Sequence, residues 1–223
     1  MNTAQVIAIT KPILDGIETA EDFIAYAARV SNPSNQMNTE TSEKLLKYLI
    51  RNKHWSPFEM VSVTMQIDTS RDIARQILRH RSFSFQEFSQ RYADPTKDLG
   101  FVFREARLQD TKNRQNSVEV DDQLFQNDWE RAQKRVLWAA EQEYKWAIEN
   151  GIAKEQARAV LPEGLIMSRI YMAGTLRSWL HYIQIRTEKG TQKEHREVAE
   201  RCKTAILAHF PSFVGCFDVE KNN

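Results

Sequence analysis

Glycine and cysteine are scarce in this 223-residue chain, which holds 7 of the first and 2 of the second. So few glycines leave little room for a Gly-rich phosphate loop or a dinucleotide-binding fingerprint, and neither string is present. The two cysteines, Cys202 and Cys216, form no metal-ligand spacing and no disulfide framework, and neither has the setting of a nucleophile. His54, His80, His181, His195 and His209 are scattered without ligand spacing, so no metal is expected. No apolar run approaches the roughly 20 residues of a membrane span. The opening MNTAQVIAITKP has no cationic start followed by a long apolar core, so it does not read as a signal peptide. Net charge is small as well: 31 Lys plus Arg oppose 30 Asp plus Glu, leaving +1. A chain so balanced is not held on nucleic acid by global charge, and any anion site must be local. These absences fit a reducing, cytoplasmic setting without a membrane or nucleic-acid partner.

With 41% hydrophobic and 27% charged residues, the composition is that of a soluble globular protein. Gln5 to Thr10 reads as a short strand ended by Lys11-Pro12. Thr19 caps a helix over Ala20 to Val30, with Asp22 at its third position, and Ser31-Asn32-Pro33 stops it. Ser42 caps a second helix with Leu45, Leu46 and Leu49 buried. Pro57 keeps Ser56 out of helix, making His54 to Glu59 a turn. Val61, Val63, Met65 and Ile67 alternate with polar residues as a half-buried strand. Thr69 or Ser70 then caps a helix leading to Arg79, with Ile73, Ala74 and Ile77 inward and Gln76 close to Arg79 on another face.

Ala93 to Gly100 reads as loop, Phe101 to Phe103 as a short strand, and Gln109 to Asn116 as a surface loop or frayed helix. The longest helix spans Val120 to Glu149. Its stripe is Leu124, Trp129, Ala132, Val136, Ala140, Tyr144 and Ile148, widened by Trp138 and Trp146, and suits a core or a subunit interface. Asn150-Gly151 ends it. Glu155 to Val160 is a brief helix carrying Arg158. Leu165 to Met172 is a strand, with helix as the alternative. Thr175 starts a helix on which Arg177 and His181 share a face, and Gln192 to Phe210 is the last helix. With no repeat and no linker, residues 1–223 make one compact α+β domain, with a small, mainly antiparallel sheet and one long central helix.

The chemistry concentrates in RHRSFSFQEFSQRY, Arg79 to Tyr92. On a helix, Arg79 and Arg81 would diverge by roughly 200°, facing two different ligands. Beyond Arg81 the helical period stops, and extended chain would place Glu87, Ser89 and Arg91 on one side. An acceptor, a hydroxyl and a cation there suit a phosphorylated sugar, because the guanidinium fork matches phosphate oxygens in pairs. With no covalent catalyst in view, this inventory suits an enzyme whose cofactor performs the chemistry. The competing reading is a nucleic-acid-binding module in which Phe83, Phe85 and Phe88 stack on bases.

The string RHR, seven residues, then Ser and closely Arg-Tyr resembles the signature of the flavin-dependent thymidylate synthases. Further stretches resemble that family in the same order: His54 to Glu59, Ala157 to Pro162, and Leu176 to Arg186 followed by Gln192 and Glu194. The resemblance implies reductive methylation of dUMP to dTMP, with 5,10-methylenetetrahydrofolate as carbon donor, FAD as hydride carrier and NADPH as reductant. No cysteine attacks the ring in that class. By the same resemblance Gln76, Arg79, Glu87, Ser89, Gln90, Arg91, Arg158 and Arg186 surround dUMP. Arg91 and Arg158 would hold its phosphate, and Arg186 would act at the uracil ring as the catalytic residue. FAD would be held by Ser31, His54, Ser56, Arg79, His80, Arg81, Glu87, Thr175, Leu176, Arg177 and His181. A homotetramer with active sites shared between subunits is implied too. The chain departs from the family's pattern at Gln90, where glycine is common, at His181, where many members carry Asn, and at His195, which takes an apolar position.

Overall fold

β-Branched and sulfur-bearing side chains at every second position build the centre of the molecule. The computed structural model describes residues 2–215 and residue 217. In β2 (Ser62–Ser70) Val63, Met65 and Ile67 are fully buried, while Thr64, Gln66 and Asp68 on the other face are partly exposed. This is the period-2 pattern of a strand with one face on a core. β6 (Met167–Thr175) pairs antiparallel with β2 along its whole length, from Ser62 opposite Thr175 to Ser70 opposite Met167. β1 (Thr3–Ile9) flanks β2, and β3 (Ser84–Glu87) flanks β6, giving a four-stranded antiparallel sheet ordered β1-β2-β6-β3.

Helices cover the buried face. α1 (Ala20–Ala28) starts where Thr19 accepts from the Asp22 amide, the expected cap. α2 (Ser42–Arg51) buries Leu46, Leu49 and Ile50, with Leu45 partly buried; its N-cap is Thr41 rather than Ser42, which is itself buried inside the first turn. Ser56 begins a short 3-10 turn through Met60, so the proline sits at a helix's first turn, where its missing N–H costs nothing. α3 (Arg71–Ile77) follows β2 directly. Ser70 occupies its N-cap, but its hydroxyl donates to Asp72 and accepts from Arg104 rather than from a helix amide. α7 (Leu176–Arg186) is capped by Thr175, and α8 (Lys193–His209) closes the core with Val198, Ala199, Cys202 and Ile206. Trp179, Tyr182, Phe58, Phe210 and Phe213 are fully buried between these layers.

Four readings change. Ala93 to Gly100 contains a one-turn helix, α4 (Pro95–Asp98), capped by Asp94. Phe101 makes a single bridge to Ile166 rather than a strand. Gln109 to Asn116 holds the end of β4 (Arg107–Gln109) and the tip of the hairpin it forms with β5 (Ser117–Glu119). The long helix α5 (Gln123–Glu149) is present, but it buries Gln133, Leu137, Ala140, Tyr144 and Ala147, and none of them joins the main core. Its C-terminal turns pack on α6 (Lys154–Ala157) and Leu161 as a small separate cluster. Leu124, Trp129 and Val136, expected in a core or a subunit interface, are exposed on this chain, as are Trp138 and Trp146, so they are not in its core. Gly151 turns the chain at φ +78°, a left-handed conformation that favours glycine, so the expected stop is in place. Cys216 lies outside the described residues.

Candidate active site

α3 ends at Ile77, so Arg79, His80 and Arg81 stand beyond the helix, in the turn that leads to β3. Phe83 anchors this turn. Its ring lies 4.8 Å from that of Trp179 and covers Gly174, where a Cβ would come within 2.4 Å of it. Phe83 and Phe85 are packed against the core, so they are not free to stack on bases. That counts against the nucleic-acid reading.

His80 turns inward and Arg79 and Arg81 outward. The two guanidinium groups are exposed and make no side-chain hydrogen bond or ion pair among the described residues. Arg186, at the last turn of α7, donates from Nε to His80 Nε2 at 2.9 Å. Burial, then the Arg186, His181 and Arg79 charges, lower the His80 pKa to about 4. His80 is therefore a neutral acceptor, and the remaining Arg186 N–H groups stay available to a ligand. The His80 ring also packs edge-on against Tyr182 at 5.0 Å, fixing its plane.

Gln76, also facing this corner, donates to Gln192 at 2.7 Å, and Gln192 donates to Glu194 at 2.9 Å. Burial alone would raise the Glu194 pKa. Gln192, its own backbone amide, Arg107 and Arg104 outweigh that and hold it down to about 2. Arg104 Nη1 approaches Glu194 Oε2 at 3.0 Å as an ion contact. Beyond Glu194 a cavity of about 420 Å³ opens between Arg104, Arg107 and the α5 residues Trp129 and Val136. None of the eight residues expected around dUMP lines it.

The expected phosphate pair forms a second group. The chain does not run extended past Glu87. It turns at Ser89, whose carbonyl accepts from the Tyr92 and Ala93 amides, so Glu87, Ser89 and Arg91 do not share one strand face. Glu87 instead accepts from Arg71 and, at 3.0 Å, from Ser168. Arg91 Nε donates to the Glu155 carboxylate at 3.1 Å, and Arg158 Nε donates to the Glu155 carbonyl at 3.2 Å. Two guanidinium groups 67 positions apart thus meet at one residue. Gln90 is 4% exposed, so its side chain is buried in the protein.

Of the residues expected at FAD, Ser31, His54, Ser56, Arg177 and His181 are exposed. His54 sits edge-on to Tyr48, and Arg177 pairs with Glu59. Thr175 is committed to its cap, and Leu176 is fully buried. The exposed hydroxyls, imidazoles and uncommitted guanidiniums are a donor set that fits an anionic dinucleotide. Sequence reasoning missed Arg104, Arg107, Asp72, Glu155 and Gly174, since isolated arginines and carboxylates carry no periodic signal.

Cys202 is fully buried, and burial pushes its thiol pKa up, so it is no nucleophile. A surface that gathers cations suits an enzyme that binds anions and takes its chemistry from a cofactor. The family model described as Thymidylate synthase complementing protein matches residues 13–212. The chain is 49% identical to a probable flavin-dependent thymidylate synthase of Paramecium bursaria Chlorella virus 1, across 97% of this chain and 99% of that protein. It is 47% identical to a flavin-dependent thymidylate synthase of Synechocystis sp., across 95% and 97%. A UMP/dUMP methylase from Streptomyces cacaoi, solved bound with 5-Br dUMP, matches with a TM-score of 0.77 at 26% identity, over 98% of this chain and 95% of that one. The chain belongs to the flavin-dependent thymidylate synthase family.

Proposed function

We propose that this protein methylates dUMP to dTMP, taking the one-carbon unit from 5,10-methylenetetrahydrofolate and reducing equivalents from NADPH. Bound FAD supplies the hydride. The observation that supports the reading is that Arg91 and Arg158, far apart in sequence, both bond Glu155, a pair of cations of the kind that takes a phosphate. Arg186 serves the base. Held by neutral His80, its cation favours the ionised N3 of uracil and so enriches C5, the carbon that must attack. Gln76, Arg79, Glu87, Ser89 and the Gln90 backbone complete the dUMP site. Ser31, His54, Ser56, Arg79, His80, Arg81, Glu87, Thr175, Arg177 and His181 hold FAD, and Leu176, whose side chain is buried in the core, could add only its backbone.

The Arg186 group and the Arg91–Arg158 group are built on different elements and tied to different partners. A homotetramer in which two subunits each contribute one group to a dUMP molecule accounts for both. The exposed tryptophans of α5 supply apolar surface for such an assembly. The test is formation of dTMP from dUMP by the purified protein, dependent on FAD, NADPH and the folate. A protein that takes up no FAD, or turns over without it, sinks the reading.

A further inference from the structure

The Gln76 carboxamide is gripped at both ends. Its Nε2 donates to Gln192, and its Oε1 lies 3.3 Å from Nδ1 of His195. The other His195 nitrogen, Nε2, lies 3.2 Å from the Tyr182 hydroxyl. His195 and Tyr182 are fully buried. At the far end stands the Glu194 carboxylate, paired with Arg104 and Arg107.

An ionised carboxylate only accepts, so its charge sets the sense of every bond behind it. Gln192 turns its NH₂ to Glu194 and therefore its oxygen to Gln76. Gln76 turns its NH₂ to Gln192 and its oxygen to His195. His195 must then donate from Nδ1, and a neutral imidazole has one N–H, so Nε2 accepts from the Tyr182 hydroxyl. Burial first, then the Arg186 guanidinium and His80, lower the His195 pKa to about 3, which keeps the ring neutral.

We propose that His195 is a positioning residue for the substrate: the chain Glu194–Gln192–Gln76–His195–Tyr182 locks the Gln76 amide so that its second N–H is the group offered to a substrate oxygen. This rests on the reading of Gln76 as a dUMP contact. A carboxamide free to flip would offer donor and acceptor alike. The lock removes the acceptor face and the cost of ordering the side chain on binding.

Two measurements on the FAD-loaded protein decide it. Histidine ¹⁵N NMR at neutral pH is expected to show His195, assigned by its loss in His195→Leu, as the Nδ1–H tautomer; an Nε2–H ring or an imidazolium overturns the lock. Equilibrium dialysis of dUMP against wild type, Gln76→Ala, His195→Leu and the double variant gives a coupling cycle. His195→Leu is expected to weaken dUMP binding about tenfold, to leave FAD retention unchanged, and to add nothing to Gln76→Ala. Additive losses overturn the proposal. Tyr182→Phe, a smaller change, is expected to weaken binding in the same direction even if His195→Leu misfolds, and unchanged affinity there counts against it. If wild type binds no dUMP, the proposed function fails, and the substrate role of His195 with it. The tautomer result still tests the lock alone.

Discussion

Arg186 shows how a neutral histidine serves a cation. Had His80 carried a proton, it would repel the guanidinium it now orients. Replacing Arg186 with Ala is expected to abolish methylation while largely sparing NADPH-dependent flavin reduction, read by stopped-flow absorbance; equal loss of both contradicts a role at the ring. Cys202 gives the opposite expectation. Its burial makes Cys202→Ala cost about 1–2 kcal/mol in denaturant unfolding and leave turnover per folded enzyme intact. Gly174 supports the site by close packing, because the Phe83 ring covers it where a Cβ would stand. Gly174→Ala is expected to displace Phe83 and the turn that carries Arg79 and Arg81, at about 1–3 kcal/mol, with weaker FAD binding read by fluorescence titration.

α5 buries Gln133, Leu137, Ala140, Tyr144 and Ala147 along one stripe and leaves Trp129, Trp138 and Trp146 facing out. Its sequence is apolar on more than one side, and periodicity alone does not say which side meets the chain's own core. In the tetramer reading, the outer tryptophans meet another subunit. Trp138→Ser with Trp146→Ser is expected to shift the assembly toward smaller species in analytical ultracentrifugation, with dTMP formation falling in step. An unchanged assembly removes these two side chains from the interface. The helix start is local chemistry: Asp122 accepts from the Leu124 and Phe125 amides. Asp122→Ala is expected to cost about 1 kcal/mol.

Across the molecule, acid acts through buried His195 and half-buried His80 and Glu194. Unfolded histidine binds a proton near pH 6.5, whereas folded His80 and His195 do so only near about 4 and about 3. Between those values the unfolded state holds protons that the folded state refuses, so stability falls as pH falls. Glu194 adds to this at lower pH. Its pKa is depressed from 4.5 to about 2, so its contribution is present above 4.5 and lost as pH drops toward 2. That loss is about 3 kcal/mol. Urea titrations from pH 7 to 3 are expected to show steadily falling midpoints, and Glu194→Gln to flatten the acid end of the curve from a lower starting stability. A flat wild-type profile below pH 6 contradicts this.

The alternation of Val63, Met65 and Ile67, the Thr19 and Thr175 caps, the Asn150-Gly151 stop and the RHR string are local, and each was legible in the order of residues along the chain. The hairpin of β4 and β5 and the one-turn α4 were not, since short elements carry too few residues for a period to emerge. The turn at Ser89, closed by the Tyr92 and Ala93 amides, overrode the extended reading, and Glu87 meets Arg71 and Ser168, partners that lie far away in sequence. The sequence by itself determined the caps, the alternation in the strands and the family string. Only the tertiary structure decided which groups meet across the fold: Arg186 with neutral His80, Arg91 with the Glu155 carboxylate, Glu194 with Arg104 and Arg107. Side-chain spacing specifies neighbours within one helix or strand, whereas these pairs form across separate elements that come together only when the core packs.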